Sequence, residues 1–229
     1  LEYTYEYEGE TYVFVLTNKR VRNINARMKD DGIIHVSAPL GVSAASVRRL
    51  LLAHGDTFRK ARIRLTERLA ARPDFTDGSQ VPYLGRSLTL CYDTVPAVLC
   101  GDVLHLPADS PAQAEVLWRH WLQERCYLLF DSLNRETCEC CRRHGYDVPL
   151  ARITIREMTS RWGSCTPSKA RISMNLRLMQ YPENSIRSVF FHEYAHFMEQ
   201  NHSDRFYAVL EGICPDYRKW DALLRTHRG

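Results

Sequence analysis

Two histidines four residues apart bracket a glutamate in His192-Glu193-Tyr194-Ala195-His196, and a third histidine, His202, follows. On an α-helix, side chains at i and i+4 stand one above the other on the same face. Two neutral imidazoles at that spacing can grip one Zn2+, and Glu193 then stands beside the metal's open position. A carboxylate there can take a proton from metal-activated water and pass it to a leaving group. A five-residue pattern with two free positions also arises by chance, so the third donor decides. Zinc in a hydrolase usually takes three protein ligands and keeps a fourth position for water. His202 reaches the metal only if the helix ends between it and His196.

The spacing to His202 is that of the metzincins. Here, however, Glu199 stands at the turn glycine, and no methionine follows Met198 to make the Met-turn, so that assignment is excluded. Asn201 is the expected turn residue, because Asn tolerates the left-handed conformation that closes a helix. Asp204 and Glu211 are the rival third ligands. Asp204 sits at a helix start, Ser203-Asp204, where capping explains it. Glu211 would suit a ligand supplied by the next helix. The reading takes His202.

The elements that must position these residues follow from periodicity and punctuation. Pro182-Glu183-Asn184 marks a helix start with an acidic first turn, and Ile186, Val189, Phe190 and Phe197 give it an apolar stripe. Strands are expected near 151–157 and 170–175, after a long helix over 111–143 that starts at Ser110-Pro111 and stops at Gly145. In the front part, strands over 3–8 and 11–17 flank Glu8-Gly9-Glu10, and strands over 21–28 and 33–37 flank Asp30-Asp31-Gly32. A single helix is expected from Ser43 to about Ala71, then short strands near 81–84, 87–93 and 102–106. No internal repeat is visible. The fold class is α+β: a β-rich N-terminal part with one basic helix over 1–108, then a zincin-like domain over 109–229 with the HExxH helix and a small sheet.

Further motifs surround the histidines. Ser160-Arg161-Trp162-Gly163-Ser164-Cys165 and Arg171-Ile172-Ser173-Met174-Asn175-Leu176 precede them; Phe206 and Pro215-Asp216-Tyr217 follow. Tyr83-Leu84-Gly85-Arg86 stands earlier. In combination these resemble the YgjP-like metallopeptidase family of M48-like zincins, with a departure at Tyr194, where leucine is common. The resemblance implies zinc held by His192, His196 and His202, with Glu193 as general base; it does not fix the substrate, for which a peptide or unfolded protein is the expectation here. In zincins the strand nearest the metal lends its edge to an extended substrate. Arg171 to Leu176 is the strand assigned to that place. Asn175 then either bonds substrate backbone or is a structural amide, and Arg161 holds a substrate carboxylate or a nearby acid, Glu157 or Glu211. Trp162 reads as core, and Cys165 as no ligand.

Composition bounds the alternatives. Hydrophobic residues make up 45% and charged residues 25%, ordinary for a soluble globular chain, and a net charge of +4 does not by itself imply nucleic acid. No apolar run is long enough to span a membrane, and no signal peptide is visible, although the chain opens on Leu1. The eight cysteines lie in apolar contexts and are expected to be reduced, which places the protein in the cytoplasm. Cys138, Cys140 and Cys141 with His144 invite a second metal, but no ligand set faces them. The basic helix, with Arg48, Arg49, Arg59, Lys60, Arg62, Arg64 and Arg68, is a solvated face or a surface that steers an anionic partner. Two alternatives to a plain metallopeptidase follow: a DNA-associated protease, and a metal-dependent hydrolase of nucleotide phosphoanhydrides. The second lacks a Gly-rich phosphate loop.

Overall fold

The computed structural model describes residues 1–70, 72–158 and 161–225; Ser160 and the Arg68 side chain lie outside the described residues. The chain is α+β and divides into two compact units, Leu1–Arg72 and Pro73–Arg228. The expected boundary at 108 falls inside the second unit. The strands just before it share a core with later elements: Val81, Leu88, Leu90, Leu104 and Leu106 pack in one cluster with Trp118, Trp121, Phe130 and Phe190.

In the first unit β1 (Glu2–Tyr7), β2 (Glu10–Lys19), β3 (Asn25–Met28) and β4 (Ile34–Pro39) form a sheet in the order β1-β2-β4-β3. Alternation buries Tyr12 and Phe14 on β2 and Ile34, Val36 and Ala38 on β4. Helices α1 (Ala44–Ala53) and α2 (Gly55–Ala70) follow. Val47, Leu51 and Phe58 from these helices close the core. The single helix expected here breaks at His54. At Gly55 the Tyr7 ring comes so close that a Cβ would lie 2.2 Å from its Cε2. On α2, Arg62 lies over the Tyr12 ring at 3.6 Å and donates to the Thr11 carbonyl, and Arg59 pairs with Glu8.

The second unit opens with the same sheet. Strands β5 (Gln80–Tyr83), β6 (Arg86–Tyr92), β7 (Val98–Cys100) and β8 (Val103–Leu106) run in the order β5-β6-β8-β7. In both sheets the first pair is antiparallel, the second parallel and the third antiparallel. Registers correspond too: Tyr5 faces Tyr12 as Val81 faces Leu88, and Phe14 faces Ile34 as Leu90 faces Leu104. Both hairpins close with positive φ at both turn residues, Glu8 (49°) and Gly9 (79°) in one, Leu84 (48°) and Gly85 (81°) in the other, as two-residue turns of the type I′ class require. A repeat invisible in the side chains is therefore present in the topology.

The long helix α3 (Pro111–Arg143) follows the second sheet. After it come β9 (Arg152–Arg156), β10 (Gly163–Thr166), β11 (Arg171–Asn175), α4 (Glu183–Ala195), α5 (Asp204–Ile213) and α6 (Tyr217–Arg225). α4 and β9 pack against α3, and α5 and α6 pack against α4. Phe190 of α4 meets Phe130 of α3 edge to face at 5.6 Å. The buried Tyr194 hydroxyl donates to Asn134 Oδ1 at 2.8 Å and accepts from the Ala151 N–H at 3.1 Å, tying α4 to α3 and to the start of β9. The three-stranded sheet runs β10-β11-β9. β11, expected at the edge, is therefore its central strand, and β10, for which no strand was expected, is one of the two edges. Gly-Ser-Cys-Thr has no apolar alternation to betray a strand.

Candidate metal centre

Helix α4 begins behind Pro182, carries Glu183 in its first turn, and ends at Ala195, with His196 as its cap residue. His192 and Glu193 therefore lie on regular helix and His196 at its last turn. The chain then tightens, with Phe197 N–H bonding Tyr194 O and Met198 and Glu199 N–H bonding Ala195 O, and it turns back toward the helix. Asn201 does not supply a left-handed residue; the described non-glycine residues with positive φ are Glu8, Phe75, Leu84 and Ala170. The close-spaced bonds after Tyr194 make the reversal instead. Ser203 then caps α5, its side chain accepting from Phe206 N–H.

The fold-back brings His202 to the helix. One ligand atom from each of His192, His196 and His202 lies within 4.8 Å of the others. The Nε2 atoms of His192 and His202 are 3.0 Å apart. Two nitrogens on a tetrahedral ion would stand roughly 3.3 Å apart, given Zn–N bonds of about 2.0–2.1 Å. His196 Nδ1 lies 3.2 Å from the Glu199 carbonyl oxygen, a partner that places the proton on Nδ1 and leaves Nε2 as a donor. Burial, with His202 beside it, holds His196 below the ordinary imidazole value of 6.5, which keeps the ring neutral and able to ligate. Three imidazole nitrogens this close together are in reach of one shared cation. The donor set fits Zn2+.

Phe206, unremarked in the sequence as a site residue, backs the cluster. Its fully buried ring lies 5.0, 4.7 and 4.7 Å from the rings of His192, His196 and His202. The signal available was its place three residues into a helix capped immediately after His202. Tyr207 stacks beside His202 at 6.3 Å.

Glu193 is 4% exposed. Its carboxylate lies against Gly163, the first residue of β10, where an added Cβ would stand 2.5 Å from Oε1. Cys165, two residues along, is pushed up to about 12 by burial and by the Glu193 charge, and it is not part of the three-histidine donor group. The rivals to His202 are occupied or apart. Glu211 bonds Arg218 Nε at 2.9 Å, and Asp204 is exposed in the first turn of α5.

Asn175 is 2% exposed, and its amide is fully used inside the chain. It donates to the carbonyls of Met158 (2.7 Å) and Arg161 (2.9 Å), and it accepts from the N–H groups of Met158 and Arg177. That is the capacity of one carboxamide, so nothing is left for a substrate backbone. The expected substrate contact is corrected to the structural amide, which ties Met158 and Arg161 to the end of β11. Arg161 is exposed, and the acids named for it pair elsewhere, Glu157 with Arg119 at 3.0 Å and Glu211 with Arg218. Trp162 is core, as expected, and donates from Nε1 to Leu224 O. The eight cysteines are all free, and among the described residues no second group of three metal donors exists beside Cys138, Cys140 and Cys141.

A family model described as "YgjP-like, metallopeptidase domain" matches residues 22–227. The chain belongs to the YgjP-like metallopeptidase family. Among solved structures, the metallopeptidase zymogen of Pyrococcus abyssi abylysin is similar at 18% identity over 42% of this chain and 90% of that one, with a TM-score of 0.37. No curated protein matches the chain. The YgjP-like match spans both compact units. No helix among the described residues is long and apolar enough to cross a membrane.

Proposed function

We propose that this YgjP-like protein is a zinc-dependent peptidase in which His192, His196 and His202 hold the metal and Glu193 is the general base. The observation that supports it most is the convergence of three imidazole donors next to a buried carboxylate at the edge of a small sheet. When bound, Zn2+ supplies a Lewis acid that polarises a carbonyl and makes water acidic near neutral pH. Glu193 takes a proton from water at its carboxylate and returns it to the leaving amine nitrogen. Phe206 fixes the three rings, and Glu199 O sets the His196 tautomer. An extended peptide adds along β10, whose outer edge no described strand covers, and Gly163 to Thr166 supply backbone bonds to it. Tyr194 is excluded as an oxyanion donor because its hydroxyl is bound within the core.

Nothing in the geometry favours nucleotide hydrolysis. The basic helices that suggested a DNA-associated protease belong to the first unit, where Arg59 and Arg62 serve the sheet. The free thiols fit a reducing compartment, and the proposed location is the cytoplasm. Glu193→Gln should keep the fold and one zinc per chain while cleavage of unfolded protein falls about 10²–10⁴-fold. Undiminished cleavage by that variant would remove Glu193 from the mechanism.

A further inference from the structure

Gly163 is a glycine that its own backbone does not require. It lies in a strand, paired with Met174, and does not have the positive φ that favours glycine. What forbids a side chain there is Glu193. A Cβ at 163 would stand 2.5 Å from Oε1 and 2.8 Å from both Cδ and Cγ of that residue, and all three of its nearest neighbours belong to the same carboxylate side chain. We infer that Gly163 is a positioning residue for the general base: its bare Cα is the seat on which the Glu193 carboxylate rests.

The surroundings hold that seat still. Trp162, the preceding residue, is 4% exposed and bonds Leu224 O through its indole N–H. Its carbonyl accepts from Asn175 N–H at 2.9 Å, and the Asn175 amide anchors Met158 and Arg161 on the approach. Beyond Gly163, β10 is paired residue by residue with β11 through Thr166. The backbone at 163 therefore cannot retreat from an added methyl group, and the side chain of Glu193 must move instead. A general base works only within hydrogen-bond reach of the proton it takes, and a misplacement of about 1 Å can cost roughly 10²-fold in rate. This role rests on Glu193 being the base, and it accounts for the glycine in the Arg-Trp-Gly-Ser-Cys run by steric need.

The test is a double-variant cycle on the full chain. Gly163→Ala should retain zinc, because the three histidines are untouched, and should lower kcat about 10²-fold with KM little changed. Glu193→Asp, one methylene shorter, makes room for the methyl group. The pair Gly163→Ala with Glu193→Asp should therefore lose much less than the product of the single losses. A second reading needs no substrate. In metal-free protein Gly163→Ala should lower Tm when residue 193 is Glu and leave it unchanged in a Glu193→Ala background. An equal Tm loss in both backgrounds, or a Gly163→Ala enzyme with full kcat, overturns the inference. Activity surviving in Glu193→Gln instead overturns the base assignment, and the Tm cycle still reports on the packing by itself.

Discussion

Gly9 and Gly85 hold the same place in two sheets of the same order, senses and register. Both stand second in a two-residue turn, at φ of 79° and 81°. Around Gly9 an added Cβ meets nothing within 4 Å, whereas at Gly85 it would lie 2.7 Å from Pro182 Cγ, at the start of the metal helix. The adjoining N–H groups of Leu84 and Gly85 bond Met179 O and Gln180 O, on the segment that leads into that helix. The first sheet is closed by its own two helices and carries no group of metal donors among the described residues. The second is extended by everything after α3, and the histidine cluster lies entirely in that extension. The second copy of the sheet is a platform, and the histidine cluster belongs to what is docked on it.

The largest effect expected from this division concerns the metal. His202→Ala should remove one of three donors and weaken zinc binding well beyond the roughly 10–100-fold typical of losing a partner that only orients a ligand. Glu211→Ala should leave zinc binding alone, because that carboxylate is engaged by Arg218. Competition with a chelating dye reads both. Equal affinity in the two variants would move the third ligand away from His202.

A smaller loss should follow from disturbing the docking. Gly85→Ala forces a left-handed alanine, about 1–2 kcal/mol, and presses a methyl group into Pro182, which adds roughly 1–3 kcal/mol for overpacking. Because Pro182 starts α4, zinc affinity should fall together with stability. If denaturant melts show a cost no greater than for the same change at Gly9, the contact with Pro182 does not hold the helix.

Much of this was legible in the sequence, for physical reasons that also mark its limits. The i, i+4 spacing of His192 and His196 and the six residues to His202 required a helix end and a reversal, and the chain makes both. Only the device differs, tight turn bonds rather than a left-handed Asn201. The edge strand was not legible, since Gly163–Thr166 has the composition of a loop, and pairing with β11 alone makes it a strand. The role of Asn175 was not legible either. Besides the local bond from Arg177 N–H, its partners are backbone groups 14 to 17 residues away, a relation no local pattern encodes. The repeat stayed hidden because strand register and turn geometry persist while side chains differ: Phe14 corresponds to Leu90, and Tyr12 to Leu88. A boundary drawn at 108 followed the order of strands and helices, but Leu88, Leu104 and Trp121 share one core across it.

The smallest expected effect is the control for the comparison. Gly9→Ala meets open space, so it costs only the left-handed conformation, about 1–2 kcal/mol, paid out in the first unit. The loss should appear as faster amide exchange across the paired stretch from Glu2 with Val15 to Tyr7 with Glu10. Gly9→Asn should recover part of it, because Asn enters the left-handed region more readily than Ala. Zinc affinity and cleavage should stay at their unaltered values, since residues 1–72 contribute none of the clustered histidines. Should Gly9→Ala weaken zinc binding as much as Gly85→Ala does, the first sheet is coupled to the metal site. The platform then acts through both copies of the sheet, and the contrast between the two turns loses its meaning.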